Sequence, residues 1–224
     1  MADITIKDNM TTKLSTSKNN IFFTSDTHFN HENIIKFCGR PFVSVKEMNE
    51  YIINKWNETV NSDDYIFHLG DFAWGGSEVW NSIIDRLNGR KILIVGNHDR
   101  KNLRLGYISK FEAVEFEMVI NVDGQPIYLN HLPFLCYDGA YNEKTKRDIL
   151  VWQLHGHVHT SLYKNSGTDF ERIGEFALPT QYDVGVDLNN FKPISFAEVK
   201  ERIEYQIQNK VNEHHWIDEN YKQI

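Results

Sequence analysis

Short clusters rich in His, Asp and Asn recur along this chain, and each one follows an apolar run. The clusters are Asp26-Thr27-His28, Gly70-Asp71, Gly96-Asn97-His98-Asp99, Asn130-His131 and Gly156-His157-Val158-His159. An apolar run such as residues 92–95 (ILIV) predicts a buried strand, and the binding groups of α/β proteins gather just beyond strand carboxyl ends. Several strand ends that carry oxygen and imidazole donors therefore predict one shared metal-binding pocket.

The donor types in these clusters suit a pair of neighbouring metal ions. A carboxylate can bridge two ions because each of its oxygens can bind one, and Asp71 is the natural bridge. The mixture of imidazole and oxygen donors suits Mn²⁺, Fe or Zn²⁺ better than Ca²⁺ or Cu. If the strands continue in extended conformation, Asp26 and His28 point to the same side, and His157 and His159 repeat that spacing.

Composition places the chain among ordinary globular proteins. Its 224 residues suffice for one domain with a full core, and 41% hydrophobic and 25% charged residues are typical of that class. The net charge of -7 disfavours a broad phosphate-binding surface, so a large duplex nucleic acid is not the expected substrate. Cys38 and Cys136 are far apart and predict reduced thiols.

Neither a secretory signal nor a membrane span is predicted. Residues 1–20 are polar and lack the apolar segment of a signal peptide, and no stretch approaches the roughly 20 apolar residues of a membrane helix. We therefore expect a cytoplasmic protein without a membrane partner. No linker or repeat divides the chain, so we expect a polar segment at 1–20 and one domain at 21–224 that includes a C-terminal helix or tail.

Alternating strand and helix signals in the first half of the chain predict parallel βαβ units. Strands are predicted at 21–25, 65–69, 91–95, 115–120, 127–130, 150–154 and 184–187, and helices at 44–60, 77–87 and 195–209. Ser44 with Glu47 and Ser195 with Glu198 have capping-box spacing. A hairpin turn at Asp123-Gly124 adds antiparallel strands, so mixed sheets are expected.

The ordered pattern DxH, GD, GNHD, H and GHxH resembles the calcineurin-like metallophosphoesterase superfamily. The resemblance extends from about residue 21 to 193 and also includes Thr24-Ser25-Asp26-Thr27-His28-Phe29-Asn30-His31 and Val184-Gly185-Val186-Asp187. Within the superfamily, the chain resembles the small bacterial and phage members. An ordered set of motifs is far more specific than a single motif. It implies an α/β fold, a four-layer α/β/β/α sandwich of two mixed β-sheets flanked by helices, with a dimetal site at the strand carboxyl ends.

The resemblance also implies a ligand set and catalytic roles. Asp26, His28, Asp71 and His159 would hold one ion, and Asp71, Asn97, His131 and His157 the other. His98 would protonate the leaving group as general acid, with Asp99 orienting it, while a hydroxide that bridges the metals attacks phosphorus. The expected cofactors are two divalent ions, with Mn²⁺ preferred and Fe, Zn²⁺ or Ni²⁺ as alternatives.

Other residues near the motifs have two interpretations each. Arg40 and Arg100 could bind the substrate or be solvated surface charges. His31 could approach the substrate or cap a helix. Trp74 and Trp80 could line a pocket for a base or an aryl group, or belong to the core.

Departures from sister families narrow the expected function. Protein Ser/Thr phosphatases carry an arginine in a GDxVDRG motif, and no arginine follows Asp71 at that spacing here. Purple acid phosphatases place a ligating tyrosine where this chain has Trp74, whose indole N–H cannot ligate a metal. Repair nucleases add a DNA-binding domain, for which the residues after Pro193 leave little room.

These observations predict a metal-dependent phosphoesterase that hydrolyses a small phosphorylated molecule, with a phosphodiester such as a nucleotide preferred. A small-molecule phosphomonoesterase is the alternative, because the same ions and His98 serve both reactions. A nuclease and a non-catalytic binding protein of the same fold are less favoured. No oligomeric state follows from the sequence.

Overall fold

Two mixed β-sheets flanked by helices form the computed structural model of the chain, which confirms the predicted α/β fold class. The structure describes residues 2–6, 13–16, 20–104, 110–137, 140–142, 147–160 and 174–216. Among the helices within these ranges, none has the length and apolar character needed to cross a bilayer.

The first sheet contains strands β3 to β6, which run parallel as the βαβ pattern predicts. In sheet order the strands are β13 (Ile194–Ser195), β3 (Ile21–Thr24), β4 (Tyr65–His68), β5 (Arg90–Ile94) and β6 (Ala113–Glu115). β13 joins the edge of β3 in antiparallel orientation, so the sheet is mixed.

The second sheet combines a parallel part with an antiparallel part. In sheet order its strands are β12 (Gln181–Asp183), β11 (Trp152–His155), β8 (Gln125–Asn130), β7 (Glu117–Val122), β1 (Ala2–Ile6) and β2 (Lys13–Thr16). β8, β11 and β12 are parallel, and β9 (Ala140–Asn142) pairs separately with β10 (Arg147–Ile149). The predicted hairpin joins β7 to β8, and the φ values of Asp123 (52°) and Gly124 (84°) fit a type I′ turn.

Two buried clusters hold the layers together. The helices are α1 (Glu32–Cys38), α2 (Val45–Thr59), α3 (Ser77–Ile84), α4 (Arg100–Arg104) and α5 (Phe196–Asn209). Trp56 of α2 and Trp80 of α3 pack with Leu93 of the first sheet in one cluster. Phe67 of the first sheet and Leu154 of the second belong to the other cluster, which therefore lies between the sheets.

The predicted helix caps are present. The Ser44 hydroxyl accepts a hydrogen bond from the Glu47 N–H at the start of α2. Ser195 and Glu198 form a complete capping box at α5, in which each side chain accepts from the backbone of the other residue. The helix predicted at 77–87 ends at Ile84.

Two strand predictions need correction, and several elements were not predicted. The strand expected at 115–120 is two strands, because the chain leaves the first sheet after β6 and enters the second at β7, with Phe116 between them. The strand expected at 184–187 is a turn that follows β12, since Asn189 bonds the carbonyls of Asp183 and Gly185 and turns the chain there. A helix that His31 could cap was expected without bounds and corresponds to α1. Strands β1, β2, β9, β10, β12 and β13 and helix α4 had no sequence prediction.

Candidate metal centre

The donors identified in the sequence converge at the carboxyl ends of strands from both sheets. β3 is followed by Asp26 and His28, β4 by Asp71, β5 by Asn97, β8 by His131, and β11 by His157 and His159. Donor atoms that lie within 4.8 Å of one another form one group of Asp26, His28 and His159 and another of Asp71, His131 and His157. The sequence prediction of a shared pocket at strand ends therefore agrees with this geometry.

The backbone at these positions is left-handed rather than extended. The φ values are 56° at Asp26, 47° at His28, 56° at Asp71, 72° at His157 and 49° at His159. The expectation that extended strands bring each pair to one side is therefore wrong, because tight turns do so instead. Such conformations cost of order 1–3 kcal/mol each and persist where the surroundings impose them, which is typical of functional sites.

The first donor group contains buried atoms that have no partner. Within the described residues, neither Oδ1 of Asp26 nor Nε2 of His28 has a hydrogen bond, although both side chains are almost fully buried. Asp26 Oδ1 lies 3.9 Å from His28 Nε2 and 3.7 Å from His159 Nε2. Because unpaired buried polar atoms are costly, these atoms fit a site built to bind a cation between them.

Beside the second group, a ring nitrogen of His131 faces the side-chain oxygen of Asn97. Nδ1 of His131 lies 2.8 Å from the carbonyl oxygen of Leu69, so the ring donates there, and in the neutral imidazole Nε2 keeps its lone pair. Nε2 of His131 lies 2.9 Å from Oδ1 of Asn97. Two lone pairs that converge in this way fit a shared metal ion, and the Leu69 carbonyl fixes the ring as expected for a metal-binding histidine.

Asp71 belongs to the second group and also lies next to the first. Its Oδ2 is 3.5 Å from Nε2 of His28 and also 3.5 Å from Nε2 of His131. This symmetrical position is the one that a bridging carboxylate needs.

Backbone N–H groups hold the two carboxylates in place. Oδ2 of Asp26 accepts from the His157 N–H, and Oδ1 of Asp71 accepts from the His98 N–H. In each carboxylate the other oxygen therefore faces the donor group. Glycine makes this packing possible, since a Cβ at Gly156 would lie 2.1 Å from Asp26 Oδ2.

The pKa shifts show strong mutual electrostatic effects among the donors. Burial, followed by the charge of Asp26, raises the pKa of Asp71. Burial lowers the pKa of His28 strongly and also that of His157, with neighbouring imidazoles adding to the effect. Burial alone would also lower the pKa of His159, but Asp26 and Asp187 outweigh it and raise that pKa well above its ordinary value. A divalent ion would replace the protons at this site, because its ligands bind as carboxylates and neutral imidazoles.

His98 is near the donors but is more exposed than Asp71. Its side chain is 41% exposed, compared with 2% for Asp71, and its Nε2 lies 3.9 Å from Asp71 Oδ2. Asp99 was expected to orient this imidazole, but the carboxylate of Asp99 accepts from the backbone N–H groups of Asp71, Phe72 and Gly96. Asp99 therefore shapes the loops that carry Asp71 and His98, and burial raises its pKa to about 6.

Arg40 requires a correction, because it is neither a surface charge nor free to bind a phosphate. It is 3% exposed, and its Nε and Nη2 bind the two carboxylate oxygens of Asp187 at 2.8 Å. Oδ2 of Asp187 in turn contacts Nδ1 of His159 at 2.8 Å. Asp187 thus fixes the ring of His159. The Val184–Asp187 motif contains this residue, but the sequence alone does not indicate the contact.

The remaining candidates separate into core and surface positions. His31 occupies the N-cap position of α1 without a side-chain cap and stacks on Trp74 at 4.6 Å. Trp80 is fully buried and donates from Nε1 to the Ala73 carbonyl, so its pocket-wall alternative is wrong. Trp74 is 51% exposed, and Arg100 is exposed beside His98.

His68 and His155 are structural. His68 is fully buried, accepts at Nδ1 from the Gly70 N–H and contacts Thr27 Oγ1 at 2.9 Å, and burial lowers its pKa to about 3. His155 pairs with Glu213 at 2.9 Å inside the protein. Both side chains are committed to internal contacts.

Comparison with known proteins agrees with this geometry. A model of the calcineurin-like phosphoesterase family matches residues 20–188, which contain all the donors described above. The chain belongs to this family. Membership implies metal-dependent hydrolysis of phosphoesters, and the two groups of His and Asp side chains could hold the metal that this chemistry requires.

Similar proteins come from an archaeon, bacteriophages and a bacterium. The uncharacterized protein MJ1445 of Methanocaldococcus jannaschii is 32% identical over 84% of this chain and 93% of its own length. The gene 66 protein of Mycobacterium phage D29 is 27% identical over 75% of this phosphoesterase and 88% of the phage protein. The crystal structure of AQ665, a protein of unknown function from Aquifex aeolicus, is 28% identical and superposes with a TM-score of 0.59, covering 81% of this chain and 97% of that one.

Proposed function

We propose that this phosphoesterase hydrolyses a small-molecule phosphodiester, such as a nucleotide, with two divalent ions and with His98 as general acid. The observation that carries the proposal is the pair of donor groups that meet at Asp71, with the half-exposed His98 imidazole next to them. The side chains of Asp26, His28, Asp71 and His131 are buried, whereas His98 is 41% exposed and accessible to a substrate.

The proposed ligand assignment follows the two groups. Asp26, His28, Asp71 and His159 would hold one ion, and Asp71, Asn97, His131 and His157 would hold the other. Mn²⁺ is the proposed metal, since this mixture of imidazole, carboxylate and amide oxygen suits it. When bound, the two ions would polarise the phosphoryl oxygens and lower the pKa of water in the site.

The side chains of the protein supply the remaining steps. Hydrolysis breaks the bond between phosphorus and the leaving oxygen, and the electron pair remains on that oxygen. The His98 imidazolium donates its proton there, which avoids the release of an alkoxide. The Asp71 carboxylate accepts a hydrogen bond from the backbone N–H of His98. The residue proposed to bridge the two ions therefore also positions the proposed acid.

A phosphomonoester remains the second candidate because the same groups can protonate either leaving group. The diester is favoured by a cavity of about 830 Å³ next to His98, which leaves room for a substantial leaving group.

A paired assay tests the proposal. The protein, supplied with Mn²⁺, is offered bis-p-nitrophenyl phosphate and p-nitrophenyl phosphate, and protein purified without added metal is analysed for bound ions. We expect faster hydrolysis of the diester and no activity in Asp71→Ala. Preference for the monoester would replace the diesterase by a phosphatase, and a wild type inert towards both substrates would contradict the proposal.

A further inference from the structure

A cavity beside His98 adjoins the donors through Asn97. Its lining residues belong to the loop at residues 73–76, the start of α3, and residues 97–102, which include His98 and the start of α4. Its volume of about 830 Å³ is in the range of small-molecule sites. Because His98 would protonate the leaving oxygen, the cavity is placed where the leaving group of the reaction would lie.

Trp74 provides a flat aromatic surface in this cavity. The His31 ring covers one face of the indole, with ring centroids 4.6 Å apart and 12° between the planes. His31 itself is only 9% exposed, so it supports the indole from the protein side. Trp74 is nevertheless 51% exposed, and the tilted His98 ring lies 5.8 Å from the indole between centroids, so exposed indole surface adjoins the proposed acid. An exposed indole that is supported by a stacked ring is suited to stacking a base.

The backbone next to Trp74 leaves space for such a ligand. A Cβ added at Gly76 would meet no heavy atom within 4 Å. Gly76 therefore borders open space next to Trp74.

Positive charge also lines the cavity. Arg100 and Lys101, at the start of α4, are exposed cavity-lining residues. Glu78 is the acidic side chain among the lining residues, so the cations outnumber it. A ligand that places an aromatic ring on Trp74 can therefore bring an anionic group to Arg100 and Lys101.

We propose that this cavity binds a leaving group made of an aromatic base and a terminal phosphate, so that the preferred substrate is a linear dinucleotide with a 5′-phosphate. This inference rests on the proposed function and names its substrate class. The bond between phosphorus and O3′ of the first nucleotide breaks, water supplies the new oxygen on phosphorus, and O3′ takes the proton from His98. The products are two nucleoside 5′-monophosphates.

Three substrates separate the parts of this proposal. They are 5′-phosphoadenylyl-(3′→5′)-adenosine (pApA), the same dinucleotide without its 5′-phosphate (ApA), and the methyl ester of AMP, whose leaving group has neither ring nor phosphate. With Mn²⁺-loaded protein, kcat/KM is measured for each, and ratios between substrates are compared across variants so that intrinsic reactivity cancels.

We expect Trp74→Ala to lower the ratio of pApA to AMP methyl ester about tenfold, as is typical for the loss of one stacked base. Phe176→Ala removes a phenyl ring of similar exposure (52%) that does not line the cavity, and it should leave the ratio unchanged. The double variant R100Q/K101Q should lower the ratio of pApA to ApA, whereas the charge-matched control K46Q/K200Q should not.

The outcomes distinguish this inference from the proposed function. If Trp74→Ala and R100Q/K101Q keep wild-type ratios while AMP methyl ester is still hydrolysed, the leaving-group site is wrong and the phosphodiesterase stands. If the wild type hydrolyses none of the three substrates with Mn²⁺, both proposals fail.

Discussion

At the scale of single residues, exposure distinguishes the proposed acid His98 from two of the proposed histidine ligands. His28 and His131 are 2% and 3% exposed, and each keeps Nε2 directed at the donor groups. His98 shares their neighbourhood but presents its side chain to the cavity. Buried imidazoles bind metals without competition from water, while a proton donor must reach the substrate.

His98→Ala should therefore lower kcat far more than it lowers metal content. The loss of a general acid typically costs about 10²–10⁴-fold in rate, and the donor atoms of both groups remain in place. Metal analysis alongside kinetics checks this expectation, with His131→Ala as the variant that should lose metal. An empty site in His98→Ala would assign His98 to metal binding instead.

Asp187 positions the His159 ring, and Arg40 stabilises the charged form of the Asp187 carboxylate. Burial alone would raise the pKa of Asp187, but the charges and hydrogen bonds of Arg40 and His159 hold it well below its ordinary value. The carboxylate is therefore charged when it receives the Nδ1–H of His159, which leaves Nε2 directed towards Asp26.

Asp187→Asn should weaken metal binding about 10–100-fold, as is common when the partner of a ligating histidine is lost. It should also cost about 3–5 kcal/mol of stability because it leaves Arg40 buried without its counter-charge. Calorimetric metal titration and denaturant unfolding measure the two effects. In the control Arg90→Gln, an exposed pair with Glu112 is broken and neither quantity should change much. Wild-type metal affinity in Asp187→Asn would exclude the positioning role.

At the scale of elements, the turns after β3 and β11 fit together through Gly156. A Cβ at this position would lie 2.1 Å from both Asp26 Oδ2 and Ser25 Oγ, so the two turns could not keep their contact. Gly156→Ala should therefore lose bound metal while the sheets still form, as metal analysis and far-UV circular dichroism would show. Gly124→Ala is a suitable control because its left-handed φ of 84° adds strain but its Cβ meets nothing within 4 Å. Full metal content in Gly156→Ala would refute the packing argument.

The sequence predicts these elements unevenly, for physical reasons. Apolar runs such as the one that forms β5 identify buried strands, and Ser195 with Glu198 identifies the start of α5, because both signals are local. The left-handed turn at Asp26 is not visible in its spacing, since the turn is imposed by contacts with a loop from the other sheet. The pairing of Arg40 with Asp187 joins residues distant in sequence, and nothing local indicates it.

At the scale of the whole molecule, the two sheets meet at the donor groups. The ordered motifs identify the fold because each motif follows a strand. The order of the motifs along the chain is therefore also the order of those strands along the chain. Asp26 of the first sheet lies against His159 of the second, and Asp71 lies against His131 in the same way. Each proposed ion would therefore join side chains from both sheets.

Metal removal should consequently destabilise the entire fold rather than one loop. An ion that binds the native state alone adds about 2.7 kcal/mol when its free concentration is 100 times its Kd, and 1 kcal/mol changes Tm by about 2–4 °C in a protein of this size. A chelator should therefore lower Tm by about 5–11 °C, measured by calorimetry, and Mn²⁺ should restore it. His131→Ala, which has lost a donor from the second sheet, should respond less to both additions. If Tm is the same before and after metal loss is verified by elemental analysis, the ions do not join the sheets, and the donor groups contribute to chemistry alone.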